Sequence, residues 1–402
     1  MNDHRRLGRE LELFCSDPLI GAGLPIWLPD GAAARHAVEE YLRRQESAAG
    51  YQHVYSPPMG RRELYEISGH WAHFAEDMFP PMRDGGEELV LRPSLCPHHA
   101  LVYRARQRSF RDLPMRVAEI GGMYRAERSG VLGGLARVRA ISLNDAHIFS
   151  PLELAGEEIA RVLAMMRRVH AALGLVPARV RLSLRGPDRQ YAGSAEQWEL
   201  AEGILRDALA GSSYVEAPGE AAFYGPKVDV QIVDPAGRES TLATVQLDLH
   251  QPARFDLSYV DSSGSAARPV MVHRSLVGSL ERLFGHLIEV HAGAFPAWYA
   301  PVQVAVLPVG ANEASHASRF ARECSAAGLR VNLAVDGSLG ARVRDARRVP
   351  YLAVIGSREA GSGEVSLRTR PPRGVPAAAG PAPKVAPAGE AVRMLVEACA
   401  AP

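Results

Sequence analysis

The stretch MRVAEIGGMYRAERSGVLGGLARVRAISLNDAHIF (115–149) decides the fold of this chain, because it divides into two strand-like segments around a loop. MRVAEIGGMYR and RVRAISLNDAHIF flank the charged, glycine-rich AERSGVLGGLA. We expect the two segments to pair as antiparallel strands. A loop that carries both glycine amides and arginine side chains suits the binding of a nucleoside triphosphate.

Three residues far apart in the sequence, Cys96, His147 and His273, form a candidate metal site. They lie in RPSLCPHH (92–99), in the second strand-like segment and in MVHRSLVGSLER (271–282). A thiolate and two imidazoles are a suitable ligand set for zinc, and three protein ligands leave one position open for substrate. Isolated cysteines and histidines are more often structural, so spacing alone does not decide between the two interpretations.

The composition is typical of a globular enzyme. The chain has 402 residues, of which 47% are hydrophobic, and a formal net charge of +1. This length allows two or three packed domains, and the near-neutral charge means that a nucleic-acid partner would be held by local arginine patches. The charged N-terminus has no long apolar run, so we expect no signal peptide or membrane span. Four widely spaced cysteines predict a reduced, cytoplasmic protein.

Helical periodicity is clear at two places in the first 300 residues. Leu7, Leu11 and Phe14 recur at helical spacing, as do the leucines at 276, 280, 283 and 287. A second helix is expected around 32–44, followed by the strand-like YQHVYSPPMG (51–60).

After residue 298, strand-like and helical segments alternate over about a hundred residues, which predicts a smaller α/β domain with a mostly parallel sheet. The segment PPRGVPAAAGPAPKVAPAG (371–389) is expected to be a mobile loop.

Several stretches together resemble class II threonyl-tRNA synthetases over nearly the whole chain. The most specific are DHRRLGRELELF (3–14), SGHW (68–71), SFRDLPMRVAEIGGMYRAERSG (109–130), DAHIF (145–149), FYGPKVD (223–229), TVQLDL (244–249) and the run 271–282. The resemblance implies a class II catalytic domain at 1–299, built on an antiparallel sheet with flanking helices. It also implies an α/β anticodon-binding domain at 300–402. The chain would then begin at the catalytic core, without the N-terminal editing domains of the family.

The resemblance assigns roles to residues that match the family's motifs. Cys96, His147 and His273 match its zinc ligands. The residues expected to bind ATP are Arg125, Glu127, Arg137, Gly278 and Arg282. The residues expected to bind the amino acid are Asp145, Tyr224 and Gln246. Arg125, Arg282, Lys227 and His70 are the expected catalytic residues.

One of these catalytic assignments has a reason of its own, and a second has a specific role in the family. Lys227 is one of only two lysines in the chain, which suggests that a compact ammonium group is needed at that position. His70 matches the family histidine that assists transfer to the ribose of tRNA.

Partners and cofactors also follow from the resemblance. It implies Zn²⁺, Mg²⁺ and ATP, a threonine-specific tRNA, threonine or a similar β-hydroxy amino acid, a homodimer and no membrane association. Four residues match positions that read the anticodon, namely Arg344, Arg348, Glu359 and Arg368. Their arginine and carboxylate groups can pair with bases or phosphates.

The chain departs from the family's pattern close to the expected substrate site. Ile141 stands where a phenylalanine stacks on adenine, and Asn144 stands where the family has an aspartate. Other differences are Ser94, His98, Leu143, Thr241, Leu242, Ala243 and Gln251. In the second domain, Asp336 replaces an asparagine, and the basic segment RDARRVPY is about two residues shorter than usual.

Three functional interpretations therefore stay open. The first is a compact threonyl-tRNA synthetase, for example a second copy resistant to an inhibitor. The second is a paralogue that activates threonine or a modified β-hydroxy amino acid for a biosynthetic pathway or a non-tRNA acceptor. The third, a non-catalytic tRNA-binding module, is disfavoured by the complete set of catalytic residues.

Overall fold

The computed structural model describes residues 2–187, 191–370 and 382–402. These residues fall into two compact units. The first unit contains 16–25 and 42–286, and the second contains 2–15, 26–41 and 287–402. The predicted boundary at residue 299 concerns functional domains, and it stays a prediction.

An eight-stranded sheet forms the centre of the first unit. In spatial order its strands are Val215–Pro218, Arg179–Leu184, Lys227–Val233, Glu239–Asp248, Val270–Ser275, Ala140–Ser150, Met115–Tyr124 and Gln52–His53. All neighbouring strands are antiparallel except the two outermost pairs. The predicted antiparallel sheet with flanking helices is thus confirmed.

The sequence 115–149 folds as the predicted hairpin, with Met115–Tyr124 paired to Ala140–Ser150 along its length. Successive residues of a strand point to opposite faces, so odd- and even-numbered residues of Ala140–Ser150 have different surroundings. Phe149 and Val117 are fully buried and pack in one core cluster with Cys96 and Tyr103. The hairpin therefore joins the sheet to the helix that begins at Cys96.

Helices and short strands complete the first unit. The helices are Arg62–Ile67, His70–Phe74, Cys96–Arg104, Ala155–Leu173, Ala195–Ala208 and Gln251–Arg254. A three-stranded sheet consists of Met59–Arg61, Glu87–Leu91 and Met82–Asp84, and a two-stranded ribbon consists of Tyr259–Val260 and Ala266–Ala267. Two helices, Pro29–Ala48 and Leu280–His291, have residues in both units.

The predicted N-terminal helix is shorter than its leucine spacing indicated. It spans His4–Glu10, and Glu12 has a φ of 50°, a left-handed conformation that breaks a helix. Phe14–Cys15 instead pairs with Ile26–Trp27 as a two-stranded ribbon. The inclusion of Phe14 in the helix was wrong, because a residue that faces a core can be placed there by either kind of element.

The second unit contains a five-stranded mixed sheet. In spatial order its strands are Val331–Leu333, Val304–Pro308, Tyr351–Ile355, Glu364–Thr369 and Lys384–Pro387. Its helices are Ala314–Ala326, Leu339–Asp345, Ser357–Ser362 and Ala388–Ala398. The first two strand pairings are parallel and the last two are antiparallel, so a mostly parallel sheet was wrong.

The predicted mobile loop at 371–389 is only partly testable. Residues 371–381 lie outside the described part of the chain. Lys384–Pro387 forms the edge strand of the mixed sheet, which the proline- and alanine-rich composition concealed. An edge position is compatible with proline, because one side of that strand has no partner strand among the residues that the structure describes.

Within 2–187, 191–370 and 382–402, no helix is long and apolar enough to cross a membrane.

We predict that Phe149→Ala destabilises the first unit by about 3–5 kcal/mol, because it removes a fully buried ring that packs 4.6 Å from the ring of Tyr103. Denaturant unfolding of the full chain measures this. Phe110→Ala is the matched control, since Phe110 is 41% exposed and should change stability by less than about 0.5 kcal/mol. Equal losses for the two variants would contradict the placement of Phe149 in the core.

Candidate functional site

The site is built on one row of residues that crosses the central sheet. Gln246 lies opposite His273 on the neighbouring strand, and His273 lies opposite His147 on the next. Asp145 is two residues from His147, so its side chain is on the same face of the strand. The sheet thereby brings together polar side chains that are more than a hundred residues apart in the sequence.

Cys96 completes a buried cluster with the two histidines. Its helix, Cys96–Arg104, begins at this residue and packs against the hairpin strand Ala140–Ser150. One ligand atom from each of Cys96, His147 and His273 lies within 4.8 Å of the others. The residues are 1%, 1% and 5% exposed, so the cluster is closed to bulk water.

Each imidazole has a partner on its outer side. His147 Nε2 faces His273 Nδ1 at 3.0 Å, whereas His147 Nδ1 lies 2.7 Å from His99 Nδ1. His99 Nε2 is 3.2 Å from a carboxylate oxygen of Glu119, and His273 Nε2 is 2.9 Å from Asp248 Oδ2. Such outer partners fix the tautomer and orientation of a metal-binding histidine.

Sequence reasoning assigned no role to His99, Glu119 or Asp248. Glu119 and Asp248 could have been found from one signal: each is a carboxylate in a strand beside buried apolar residues, where an unpaired charge would be costly. Their positions on the site face follow from the strand register.

The protonation states in the cluster follow from burial and neighbouring charge. Burial alone would raise the pKa of the Cys96 thiol, but His70 and His273 lower it to about 5. Burial and the neighbouring histidines hold the pKa of His147 well below its usual value. For His273, burial opposes protonation, but Asp248 and Cys96 raise its pKa to about 10. Burial and the Cys96 thiolate raise the pKa of Asp145 to about 7.

A cavity of about 280 Å³ opens beside this cluster. Nine of the predicted site residues line it: Arg125, Glu127, Arg137, Asp145, Tyr224, Gln246, His273, Gly278 and Arg282. Tyr224 donates a hydrogen bond of 2.9 Å to Gln246 Oε1, and its ring stacks on His273 with centroids 4.9 Å apart. The residues predicted to bind the amino acid and the residues predicted to bind ATP therefore line the same cavity.

The residues predicted to bind ATP line the cavity and also form hydrogen bonds to other residues of the protein. Arg137 Nε donates to Glu127 Oε2 at 2.9 Å, so this pair must separate if both residues are to contact ATP. Arg282 donates to the carbonyl oxygens of Ala136 and Thr241, each at 3.4 Å. Gly278 has a φ of 66°, and a Cβ atom there would lie 2.8 Å from the Leu242 carbonyl oxygen. Only glycine fits this position without strain.

Two predicted catalytic residues lie outside the cavity lining. His70 Nε2 is 3.6 Å from Cys96 Sγ, and its Nδ1 is 2.8 Å from Ser68 Oγ. Lys227 Nζ pairs with Asp229 at 3.1 Å, and Asp229 also accepts from Ser183 at 2.8 Å. His70 thus adjoins the cluster, whereas Lys227 is held by a buried carboxylate.

The departures near the expected substrate site divide into two groups. Ser94, Ile141, Leu143, Thr241, Leu242 and Ala243 line the cavity. His98, Asn144 and Gln251 are buried and do not belong to that lining. Gln251 Nε2 lies 3.6 Å from Cys96 Sγ, so Gln251 contacts the cluster without lining the cavity.

The four predicted anticodon residues lie in the second unit on different elements. Arg344 is exposed on the helix Leu339–Asp345, and Arg368 is exposed on the strand Glu364–Thr369. Arg348 donates from Nε to the Ala292 carbonyl oxygen at 3.2 Å. Glu359 accepts from Gly356 N at 3.1 Å, so part of its carboxylate caps its own helix.

Comparisons with known families give two matches along the chain. Residues 76–291 match the model described as tRNA synthetase class II core domain (G, H, P, S and T), and residues 303–375 match the model described as anticodon binding domain.

Individual relatives agree with these models. The chain is 46% identical over 374 residues to threonine–tRNA ligase 1 of Bacillus subtilis, which covers 91% of this chain and 58% of the relative. It is 47% identical over 375 residues to threonine–tRNA ligase of Levilactobacillus brevis, with the same shares. The chain thus spans about 58% of the length of the curated relatives that it matches.

Solved structures match over the full chain. The RNA binding domain of threonyl-tRNA synthetase from Cryptosporidium parvum matches with a TM-score of 0.91 and 31% identity, covering 100% of this chain and 99% of that one. A putative threonyl-tRNA synthetase from Aeropyrum pernix matches with a TM-score of 0.82 and 28% identity, covering 100% and 98%.

We predict that Glu119→Gln lowers stability at neutral pH by roughly 3 kcal/mol, because it removes the charge that faces buried Arg92 at 3.1 Å. Burial alone would raise the pKa of Glu119, but His99, Ser56 and Arg92 lower it to about 2 from a usual 4.5. A depressed carboxyl pKa stabilises the fold above pH ~4.5, and this stabilisation is lost as the pH falls towards ~2.

The variant should therefore show a smaller loss of stability between those pH values than the parent, measured by denaturant unfolding at several pH values. Glu87→Gln is the control, since its pair with Arg61 is exposed and should be worth less than about 1 kcal/mol. If the free energy of unfolding of Glu119→Gln fell as much as that of the parent between pH ~4.5 and ~2, the lowered pKa of Glu119 would be refuted.

Proposed function

Since the chain belongs to the threonyl-tRNA synthetase family of class II synthetases, we propose that it activates threonine with ATP and transfers it to a threonine tRNA. The observation that carries this proposal is one cavity lined by His273, a member of the buried Cys–His–His cluster, and by Arg125 and Arg282. The cluster would recognise the amino acid, and the two arginines would hold the phosphates.

The cluster fits zinc in both its atoms and its surroundings. A thiolate with a lowered pKa and a neutral His147 are the forms that bind metal, and the outer nitrogens of both imidazoles already have partners. A bound zinc ion would supply a Lewis-acidic centre for the amino and hydroxyl groups of threonine. Because His273 has a raised pKa, zinc must displace its proton, so the affinity for zinc should weaken as the pH falls.

The protein side chains would select the β-hydroxyl group. Asp145 lines the cavity and can accept a hydrogen bond from that hydroxyl, while Tyr224 and Gln246 close the other side. A site with buried polar groups for a hydroxyl rejects the isosteric methyl analogue, here valine, by roughly 10⁴-fold. Serine also has the hydroxyl, so its exclusion depends on the methyl contact, which is worth only about 1–3 kcal/mol.

Adenylate formation would use the cationic end of the cavity. The threonine carboxylate attacks the α-phosphorus of ATP, the bond from that phosphorus to the bridging oxygen of the β-phosphate breaks, and pyrophosphate leaves. Bound Mg²⁺ would supply further positive charge for the phosphates. Arg125 and Arg282 would neutralise the charge that grows on the α-phosphate oxygens. Glu127 and Arg137 would exchange their mutual contact for adenine and the γ-phosphate, respectively, and Gly278 would allow close approach of the nucleotide.

Transfer would involve the terminal ribose of tRNA. A ribose hydroxyl attacks the carbonyl carbon of the adenylate, AMP leaves, and His70 assists removal of the hydroxyl proton. The location of His70 next to Cys96 supports this role, because the amino acid would be held at the same cluster. Lys227 would act indirectly from its pair with Asp229, which belongs to the strand beside Gln246.

Other assignments belong to the same proposal. The second unit would read the anticodon through Arg344, Arg348, Glu359 and Arg368, which lie within the matched anticodon binding domain. The functional protein would be a cytoplasmic homodimer without membrane association, with functional domains at 1–299 and 300–402.

A second candidate is a paralogue that activates a modified β-hydroxy amino acid or uses another acceptor. One observation favours it: Ser94, Leu143 and Leu242, which depart from the family's pattern, all line the cavity. The same substitutions would also suit a second synthetase copy that resists an inhibitor. Charging of threonine tRNA separates a changed acceptor from a conventional one.

We predict about one zinc ion per chain, and we expect Cys96→Ala to lose both the metal and threonine-dependent pyrophosphate exchange. Removing one of three protein ligands leaves two imidazoles, too few for a stable site. Metal content is measured by atomic emission after dialysis. Cys15→Ala is the control, because Cys15 lies outside the cluster and should retain zinc and activity. Full exchange by a metal-free protein would eliminate the zinc mechanism.

We also predict charging of threonine tRNA, with Arg344→Ala and Glu359→Ala each reducing kcat/KM for tRNA by roughly tenfold or more, as expected for lost base or phosphate contacts. Exchange without tRNA should stay unchanged. Acylation with labelled threonine measures this, with Arg319→Ala on the helix Ala314–Ala326 as the control. If exchange proceeds but threonine tRNA stays uncharged, the acceptor is another molecule.

A further inference from the structure

The sulfur of Cys96 has polar neighbours that the proposed reaction does not use. Ser94 Oγ lies 3.1 Å from Cys96 Sγ, and Gln251 Nε2 lies 3.6 Å from the same atom. His70 Nε2 is a third neighbour, also at 3.6 Å. Ser94 and Gln251 are both among the positions at which the chain departs from the family's pattern, so that pattern does not account for their contacts with the sulfur.

The charge on the sulfur determines the direction of both hydrogen bonds. A cysteine that binds a metal is a thiolate, which has no proton and can only accept. A serine hydroxyl can donate, and the Nε2 group of a glutamine amide is a donor. Ser94 and Gln251 would therefore both donate to Cys96 Sγ when the metal is bound.

Gln251 is held in place by the carboxylate that also orients His273. Asp248 Oδ1 accepts from Gln251 N at 2.9 Å, and Asp248 Oδ2 lies 2.9 Å from His273 Nε2. Gln251 is fully buried, and its Oε1 has no hydrogen-bond partner within the described residues. Because an unpaired buried oxygen is costly, a glutamine at this position is a disadvantage for stability alone. The contact of its nitrogen with Cys96 Sγ supplies a reason for it.

Ser94 contacts the sulfur from the cavity lining. It precedes the helix Cys96–Arg104 by two residues, lines the cavity and is half-buried. Gln251 begins the helix Gln251–Arg254 and does not belong to the lining. Two separate elements thus each bring one donor to the same sulfur atom.

Hydrogen bonds to a thiolate change the properties of the metal that it holds. They draw electron density from the sulfur, so the sulfur donates less charge to the ion. Hydrogen bonding around cysteine sulfurs tunes blue-copper and iron–sulfur centres in this way. A zinc ion that receives less charge would be a stronger Lewis acid for the amino and hydroxyl groups of threonine.

We propose that Ser94 and Gln251 are positioning residues for the zinc site, which hold the Cys96 thiolate by two hydrogen bonds and reduce the charge that it gives to the metal. This rests on the proposed function, because it concerns the zinc ion of that site. Neither residue is a metal ligand, and both act through Cys96. Their loss should weaken the binding of threonine and leave the binding of ATP unchanged.

The full chain loaded with excess Co²⁺ in place of zinc tests this. Charge transfer from a thiolate to Co²⁺ gives a near-ultraviolet absorption band, whose energy rises when hydrogen bonds stabilise the sulfur. Cys96→Ala should abolish this band and so identifies it. Ser94→Ala and Gln251→Met each remove one donor, and each should move the band to longer wavelength by roughly 5–10 nm, the scale of one charge-assisted hydrogen bond. The double variant should move it further.

Two further variants are matched controls. Ser94→Thr keeps a hydroxyl group and should leave the band unmoved. Gln107→Met repeats the change made at Gln251 at an exposed position and should also leave it unmoved. In pyrophosphate exchange with zinc, Ser94→Ala and Gln251→Met should each raise KM for threonine by about threefold and change KM for ATP by less than about twofold.

The proposal is overturned if the band keeps the parent's wavelength in either Ser94→Ala or Gln251→Met, once that variant is folded and loaded with Co²⁺. It is also overturned if Ser94→Thr moves the band as much as Ser94→Ala does, because packing would then be the cause. A parental KM for threonine in both variants, or an equal rise in KM for ATP, overturns it as well. If one variant fails to fold, the band of the other decides by the same criterion.

Failure of the proposed function gives a different result. A parent that shows the cobalt band but supports no exchange with any amino acid overturns the proposed function alone, and the band shifts then decide this inference separately. A parent that takes up Co²⁺ without the band, or takes up none, overturns both.

Discussion

The register between the strands Ala140–Ser150 and Val270–Ser275 is the constraint on which the rest of the site depends. It places His147 directly opposite His273, and the next strand places Gln246 opposite His273. A slip of one residue would turn each of these side chains to the other face of the sheet. The Cys96–His147–His273 cluster, the cavity beside it and the turn that carries Gly278 would all be lost together.

Buried ion pairs lie on both faces of the sheet beside these strands. On the site face, Glu119 is paired with Arg92 and reaches His147 through His99. On the opposite face, Glu46 is paired with Arg274, next to His273. Breaking one partner of such a pair leaves an uncompensated charge, which costs several kcal/mol, so each pair favours one alignment of the strands. Glu119 also orients the His147 ring through His99.

Much of the fold and the site could be predicted from the sequence. The hairpin at 115–149 was evident because two apolar, alternating segments flank a loop rich in glycine and arginine. Cys96, His147 and His273 were found from motifs, and their convergence needs the antiparallel sheet. Arg125, Asp145 and Arg282 line one cavity, as the motif match implied.

The features that the sequence did not predict have physical causes. The end of the first helix at Glu10 depends on a left-handed residue at Glu12, which leucine spacing does not reveal. The antiparallel strands of the second unit follow from tertiary pairing, since alternation of elements does not fix direction. The contacts of Asn144 and of His99 depend on groups about 50 to 130 residues away, so local sequence carries no signal for them.

The most direct measurement of the central claim is ATP–pyrophosphate exchange with the zinc-loaded chain across threonine, serine, valine and a modified β-hydroxy amino acid. The account predicts that threonine supports the highest kcat/KM, that serine follows within roughly 10–200-fold, and that valine is lower by roughly 10⁴-fold. Exchange that is as fast with valine as with threonine would contradict it, because a site built from the Cys96 cluster and Asp145 must require the hydroxyl group.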